Sequence, residues 1–338
     1  MIFEDENERV SNGIESGRLF LNLAGRLGLW HAACDAAVLL ADLGSRLTLR
    51  SLHHSEWKRY VSNLYGLSTG IAGVALQAGK SPLDALCWLE QTRGIIRASL
   101  EQLRTDMKRL WNVDPELAKQ FSKAQHFLAK PISPIEWSSA LFKDPPSWEQ
   151  QDFEARKDFD DILNRIQGIP GFEDFLRPLS GDDIREAASR GPVVIVSVGL
   201  FGCDAFLVTT QGVQAIPLSD LHGAKLAAET RDGDFGSHDT LQWLWKTIAR
   251  PVLDALGFTR SIKESRISSN HRIPHIWWTP TEPLINFSLH AAGLHRARTG
   301  ETVLARVMPS YASSITSLVH VRRRHLRLPP TPSVTSPD

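Results

Sequence analysis

From Ser16 to Leu47 the apolar residues Leu19, Leu21, Leu23, Ala24, Leu27, Leu29 and then Ala32, Ala36, Val38, Leu39, Leu40 and Leu43 recur largely at intervals of three and four, with Gly25, Gly28 and Gly44 as breaks. That period predicts amphipathic helices. A second helical segment is predicted over Trp57 to Ala78, where Gly66, Ser68, Gly70, Ala72, Gly73 and Ala75 permit close helix approach. A third runs from Ser81 to Trp111, with Ser81 as N-cap, Pro82 at the first helical position and Asp84 in the first turn. Pro131, Pro134, Pro145 and Pro146 then exclude one long helix. A charged helical pattern returns over residues 149 to 167, and Asp182 to Arg190 predicts a short helix.

At Gly191 the period changes. Pro192-Val-Val-Ile-Val-Ser-Val198 is a β-branched run suited to a strand buried on both faces. Ala205 to Thr210 and Val213 to Pro217 flank Gln211-Gly212 like a hairpin. Thr240 to Leu256 is an amphipathic helix ended by Gly257. Ile273 to Leu318 then holds an apolar strand, a proline-punctuated turn, a small-residue helix over Ser288 to His295 and a second apolar strand. This order implies a sheet with crossover helices.

The chain has 338 residues, 42% hydrophobic and 22% charged, enough for two globular domains. Thirty-eight basic residues balance thirty-eight acidic ones, so no global field draws it to nucleic acid or an anionic membrane. The acidic N-terminus lacks the sections of a signal peptide, and no apolar run reaches eighteen residues, which predicts a soluble cytoplasmic protein. Cys34, Cys87 and Cys203 are odd in number and far apart, so reduced thiols are expected rather than a disulfide framework or metal cluster.

Trp277-Trp278-Thr-Pro280-Thr281-Glu-Pro283-Leu284, Ser288-Leu-His290-Ala-Ala-Gly293 and Met308-Pro-Ser310-Tyr311-Ala-Ser-Ser314 resemble, in composition and order, consecutive motifs of the CHAT domain. This is a caspase-like cysteine-peptidase module that often follows tetratricopeptide (TPR) repeats. Val196-Ser-Val-Gly199-Leu-Phe-Gly202-Cys203-Asp204-Ala205 is similar to the family's opening strand but has glycine where Ser and Arg are usual. Ala75 to Gly94 is similar to the helical repeat before such domains, although a strict TPR period is not visible.

The resemblance implies an α+β, multidomain chain: a TPR-like helical region over 1–128, a helical lead-in over 151–190 and the N-terminal part of a caspase-like α/β domain over 191–320; composition predicts a Pro-rich junction over 129–150 and, from its basic and then proline- and hydroxyl-rich run, a disordered tail over 321–338. The family's catalytic His and Cys belong to downstream segments that this chain lacks. The expectation is therefore a C-terminally truncated, non-catalytic or fragmentary protein that acts as an interaction or regulatory module. Its helical region would bind a protein or peptide. Loss of later strands would expose a sheet edge and an apolar face.

Cys203 with His290 or His295 would make a dyad only if the thiol were ionised, and neither Cys203 nor His290 matches the family's catalytic pair. Gly66-Leu-Ser68-Thr-Gly70 fits a nucleophile elbow, which would make Ser68 the nucleophile of a serine hydrolase, but it needs a strand before it and the preceding residues read as helix. His271 and His275 have i,i+4 spacing interrupted by Pro274, and His53-His54 suits a solvated loop. Trp277-Trp278 on a strand would send one ring to each face. Arg322 to Arg324 could touch phosphate or an acidic partner. No catalytic, cofactor-binding or metal-ligating residue is assigned, and no cofactor is expected.

Overall fold

The computed structural model describes residues 5–50, 66–94, 98–128, 147–173, 175–177, 179–259, 273–297 and 300–327. The chain divides into two units, Met1–Pro178 and Leu179–Asp338, a boundary inside the stretch read as helical lead-in. Helices fill the first, and a mixed five-stranded sheet anchors the second, an α+β chain.

In the first unit α1 (Asp5–Arg26) and α2 (Trp30–Arg50) form a hairpin, followed by α3 (Leu67–Gln77) and α4 (Pro82–Gly94). Leu21, Ala24, Ala33, Ala37 and Leu40 are buried along the hairpin. Residues Leu67 to Ala75 of α3 are buried all round, the mark of a helix enclosed by its neighbours. Helix α4 starts as the sequence indicates: the Asp84 N–H donates to Ser81 Oγ at 3.1 Å and that hydroxyl donates to Asp84 Oδ2 at 2.7 Å. Then α5 (Ala98–Val113), α6 (Pro115–Leu128) and α7 (Ser147–Gln167) build a second core. Phe121 lies at its centre, 5.4 Å from the Phe159 ring and 5.3 Å, edge on, from Phe175.

The second unit opens with α8 (Gly181–Glu186), capped by reciprocal Ser180–Asp183 bonds. The sheet comprises β1 (Val193–Gly199), β2 (Gly202–Thr209), β3 (Gly212–Pro217), β4 (His275–Pro280) and β5 (Met308–Tyr311), in the order β3-β2-β1-β4-β5. The first three form an antiparallel meander, and β4 and β5 add in parallel. The predicted hairpin is present with its turn one residue earlier, at Thr210-Gln211, because Thr209 pairs with Gly212.

One face of the sheet, with Val194, Val196, Ala205, Leu207, Ile276 and Trp278, packs on α9 (Gly223–Asp232), α10 (His238–Leu244) and α11 (Arg250–Ala255). A π-helical turn, Trp245–Ala249, joins α10 to α11. Pro251 has no N–H for the regular ladder, which accounts for the local widening. On the opposite face Val193, Ile195, Phe206 and Val208 are buried. There α8 packs on β2 and on α13 (Ile315–Arg327), which follows the short α12 (Val303–Arg306).

Three expectations need correction. The segment predicted as a small-residue helix forms two 3₁₀ turns, Leu289–Ala291 and His295–Ala297. Gly293 bridges Thr302 between them, so close that a Cβ would lie 2.4 Å from Thr302 Cγ2. That contact ties the segment to the strand-like start of α12 and prevents a helix. Second, residues 321–327, expected to be disordered, continue α13: Leu318 and Val319 are buried, Arg322 donates to the Ala187 carbonyl, and Arg323 pairs with Asp183. Residues 328–338 lie outside the described residues. Third, the expected exposure of an apolar face does not hold for the second sheet face, which α8 and α13 cover, in keeping with a β1 buried on both faces.

Candidate functional site

One set of polar residues in the second unit, Ser197, Asp204, Thr279 and Thr281, lies where β1 ends, β2 begins and β4 turns away. In open α/β sheets ligands bind beyond the carboxyl ends of strands. Thr281 follows β4 and replaces the next rung of the ladder: its N–H and its Oγ1 both donate to the Val196 carbonyl at 2.9 Å, and Oγ1 accepts the Val198 N–H at 3.1 Å. Leu200 and Phe201 form the turn between Gly199 and Gly202. Ser197 and Asp204 are directly opposite on the first strand pair, on the same sheet face as Ile195 and Thr279.

Asp204 is half-buried, and burial alone pushes its carboxyl above the ordinary aspartate range. Its carboxylate leans toward the turn: a Cβ on Gly202 would lie 3.0 Å from Asp204 Oδ2. Only glycine leaves that space open. Ser197 is 3% exposed, and Thr279 Oγ1 is buried with no hydrogen-bond partner.

Cys203 points to the other face and packs against the core there. Burial pushes its thiol up, Asp204 adds to the rise, and a hydrogen bond from the Gly199 backbone opposes it. A thiol in that state is neutral near pH 7. His290 lies beyond the far side of the sheet: its Nδ1 and its N–H are each 3.0 Å from the Tyr311 hydroxyl on β5. Strands β1 and β4 separate β2, with Cys203, from β5, a span of roughly 14 Å at the usual strand spacing. His295 Nε2 binds the Ala291 carbonyl at 2.7 Å, and its ring lies 5.8 Å from His238. The structure does not bring Cys203 and either histidine together.

The other sequence candidates have structural roles. Ser68 is buried in the first turn of α3 after Gly66, and residues 51–65 before it lie outside the described residues. His275 bridges the Arg190 carbonyl at 3.2 Å and Ser310 Oγ at 2.8 Å; His271 and His53-His54 are outside the described residues. Trp278 is fully buried, whereas Trp277 sits on the opposite face under the Arg322 guanidinium at 5.5 Å. Arg322 is thereby committed to Trp277 and the end of α8. Among the described residues no three or more His, Cys, Asp or Glu side chains are grouped to hold a metal ion, and no helix is long and apolar enough to cross a membrane.

Asp204 carries the electrostatic anomaly that sequence reasoning passed over. Its signal is a single acid in the run Cys203-Asp204-Ala-Phe-Leu-Val208, a residue type depleted in strands. Compared with protein families, curated proteins and solved structures, the chain matches none.

Proposed function

We propose that this chain is a CHAT-like protein that works as a non-catalytic interaction module, with its helical unit as the partner-binding part. Support for the family comes from the motif segments, which fall on β1, β4, the 3₁₀ turns and β5 of one sheet. The observation that carries the interaction role is a row along the end of α1 and the residue after it: Leu19, Leu23 and Leu27 are 62%, 60% and 65% exposed, with Phe20 beside them at 52%. Spacings of four place these leucines on one helix face, next to the face buried against α2. A lone exposed leucine is ordinary, whereas such a stripe marks an interaction surface. Helical repeats bury their faces by stacking on a neighbour, and an amphipathic helix of a partner protein would complete this one.

The test compares partners cross-linked in cells by the full chain and by its Leu23→Asp variant, with Arg26→Glu as the exposed control. Partners that depend on Leu23 but not Arg26 support the reading, and identical partner sets overturn it. A thiol-directed peptidase probe that labels Cys203 near neutral pH would show a reactive thiolate there and count against the non-catalytic reading.

A further inference from the structure

Asp204 is a carboxylate in the wrong place for a purely structural residue. It sits inside an interior strand, half-buried, and among the described residues neither an ion pair nor a hydrogen bond compensates its charge. Desolvating an unpaired carboxylate costs stability. A charge retained at such cost, at the carboxyl end of a sheet, marks a functional position.

We propose that Asp204, with Ser197 beside it, anchors a cationic nitrogen group: the guanidinium of an arginine or the ammonium of a lysine or amine. The carboxylate leans over Gly202 toward the turn, from which a ligand would arrive. Ser197 faces it across the strand pair and supplies a second acceptor for a donor that carries several N–H groups. Thr281 Oγ1 is already engaged with Val196 and Val198, so it fixes the strand ends rather than the ligand. Leu200 in the turn is 60% exposed and offers apolar surface to a methylene stem. A divalent metal fits poorly: Ca²⁺ and Mg²⁺ need more oxygen ligands and more negative charge than one carboxylate and a hydroxyl provide. The inference goes beyond the interaction role and stands whether or not the CHAT resemblance holds.

Calorimetric titration of the full chain tests it, using N-acetyl-arginine amide, N-acetyl-lysine amide and spermidine, with the uncharged N-acetyl-citrulline amide as control. The cationic probes should bind and citrulline amide should not. Asp204→Asn should weaken binding about tenfold or more, and Ser197→Ala by a smaller factor. Equal binding of citrulline amide, an Asp204→Asn variant of unchanged affinity, or no cationic probe bound at millimolar concentration overturns the proposal. Tighter binding of N-acetyl-arginine amide or N-acetyl-lysine amide than of spermidine assigns the group to a polypeptide side chain, and the reverse order assigns it to a free amine. In the unsubstituted protein arginine amide should also slow carbodiimide modification of Asp204. Undiminished modification counts against the site even if Asp204→Asn does not fold.

Discussion

Arg306 donates from Nη1 to Asp254 Oδ1 at 2.7 Å while its guanidinium carbon lies 4.8 Å over the Trp245 ring. The pair locks α12 onto the helical layer beside the π turn. Arg306 is buried and Asp254 is 42% exposed, so loss of the arginine leaves a carboxylate that water can reach. Arg306→Ala should then cost about 2 kcal/mol, chiefly in lost packing and cation–π contact. Arg306→Lys should recover only part of it, because an ammonium cannot both stack and fork. Urea unfolding of the three proteins measures the order.

Asp204 governs a pH effect with a definite sign. Its carboxyl is raised by burial, so the fold favours the protonated form. The stability it contributes is full below the ordinary aspartate pKa and is lost as pH rises through the folded value. Near neutral pH Asp204→Asn should raise the melting temperature by about 2 °C. The gap should close as the pH falls through the acid range. Thermal melts of both proteins across that range check this, and a gap that widens in acid contradicts it.

Asp183 should behave in the opposite way. Burial raises its carboxyl, but hydrogen bonds from Ser180 and the Arg323 guanidinium outweigh that and hold it below the usual range. Its contribution is present above the ordinary aspartate pKa and fades as pH falls through the lowered one. Arg323→Ala should loosen α13 from α8, so that trypsin cuts near residue 322 sooner at neutral pH. Equal cleavage times in both proteins would show that the pair does not hold the helix.

Cys203 should resist alkylation. With its thiol pushed up by burial, iodoacetamide should modify it at least about tenfold more slowly than a small free thiol near pH 7.4. Peptide-level mass spectrometry reads this directly, with urea-unfolded protein as the reference.

The strands were legible because a buried β-branched run such as Val193 to Val196 has one economical conformation. Ser81, Pro82 and Asp84 likewise announced the start of α4 through local chemistry alone. The failures have tertiary causes. Ser288 to His295 has small residues that suit a helix, yet the contact of Gly293 with Thr302 decides otherwise. Residues 321–327 look solvated by composition, but Arg322 and Arg323 find partners in Ala187 and Asp183, far away in sequence. Asp204 escaped notice because the sequence cannot show that a strand acid lacks a counter-charge.

Strand β5 has a further consequence. Met308 and Ala312 turn their N–H groups toward β4, so alternation sends those of residues 309 and 311 outward. Residue 309 is proline, which has none. A further strand laid along this margin would find one donor, at Tyr311, where a regular ladder offers two. Neighbouring molecules that meet at this margin therefore have little to zip along.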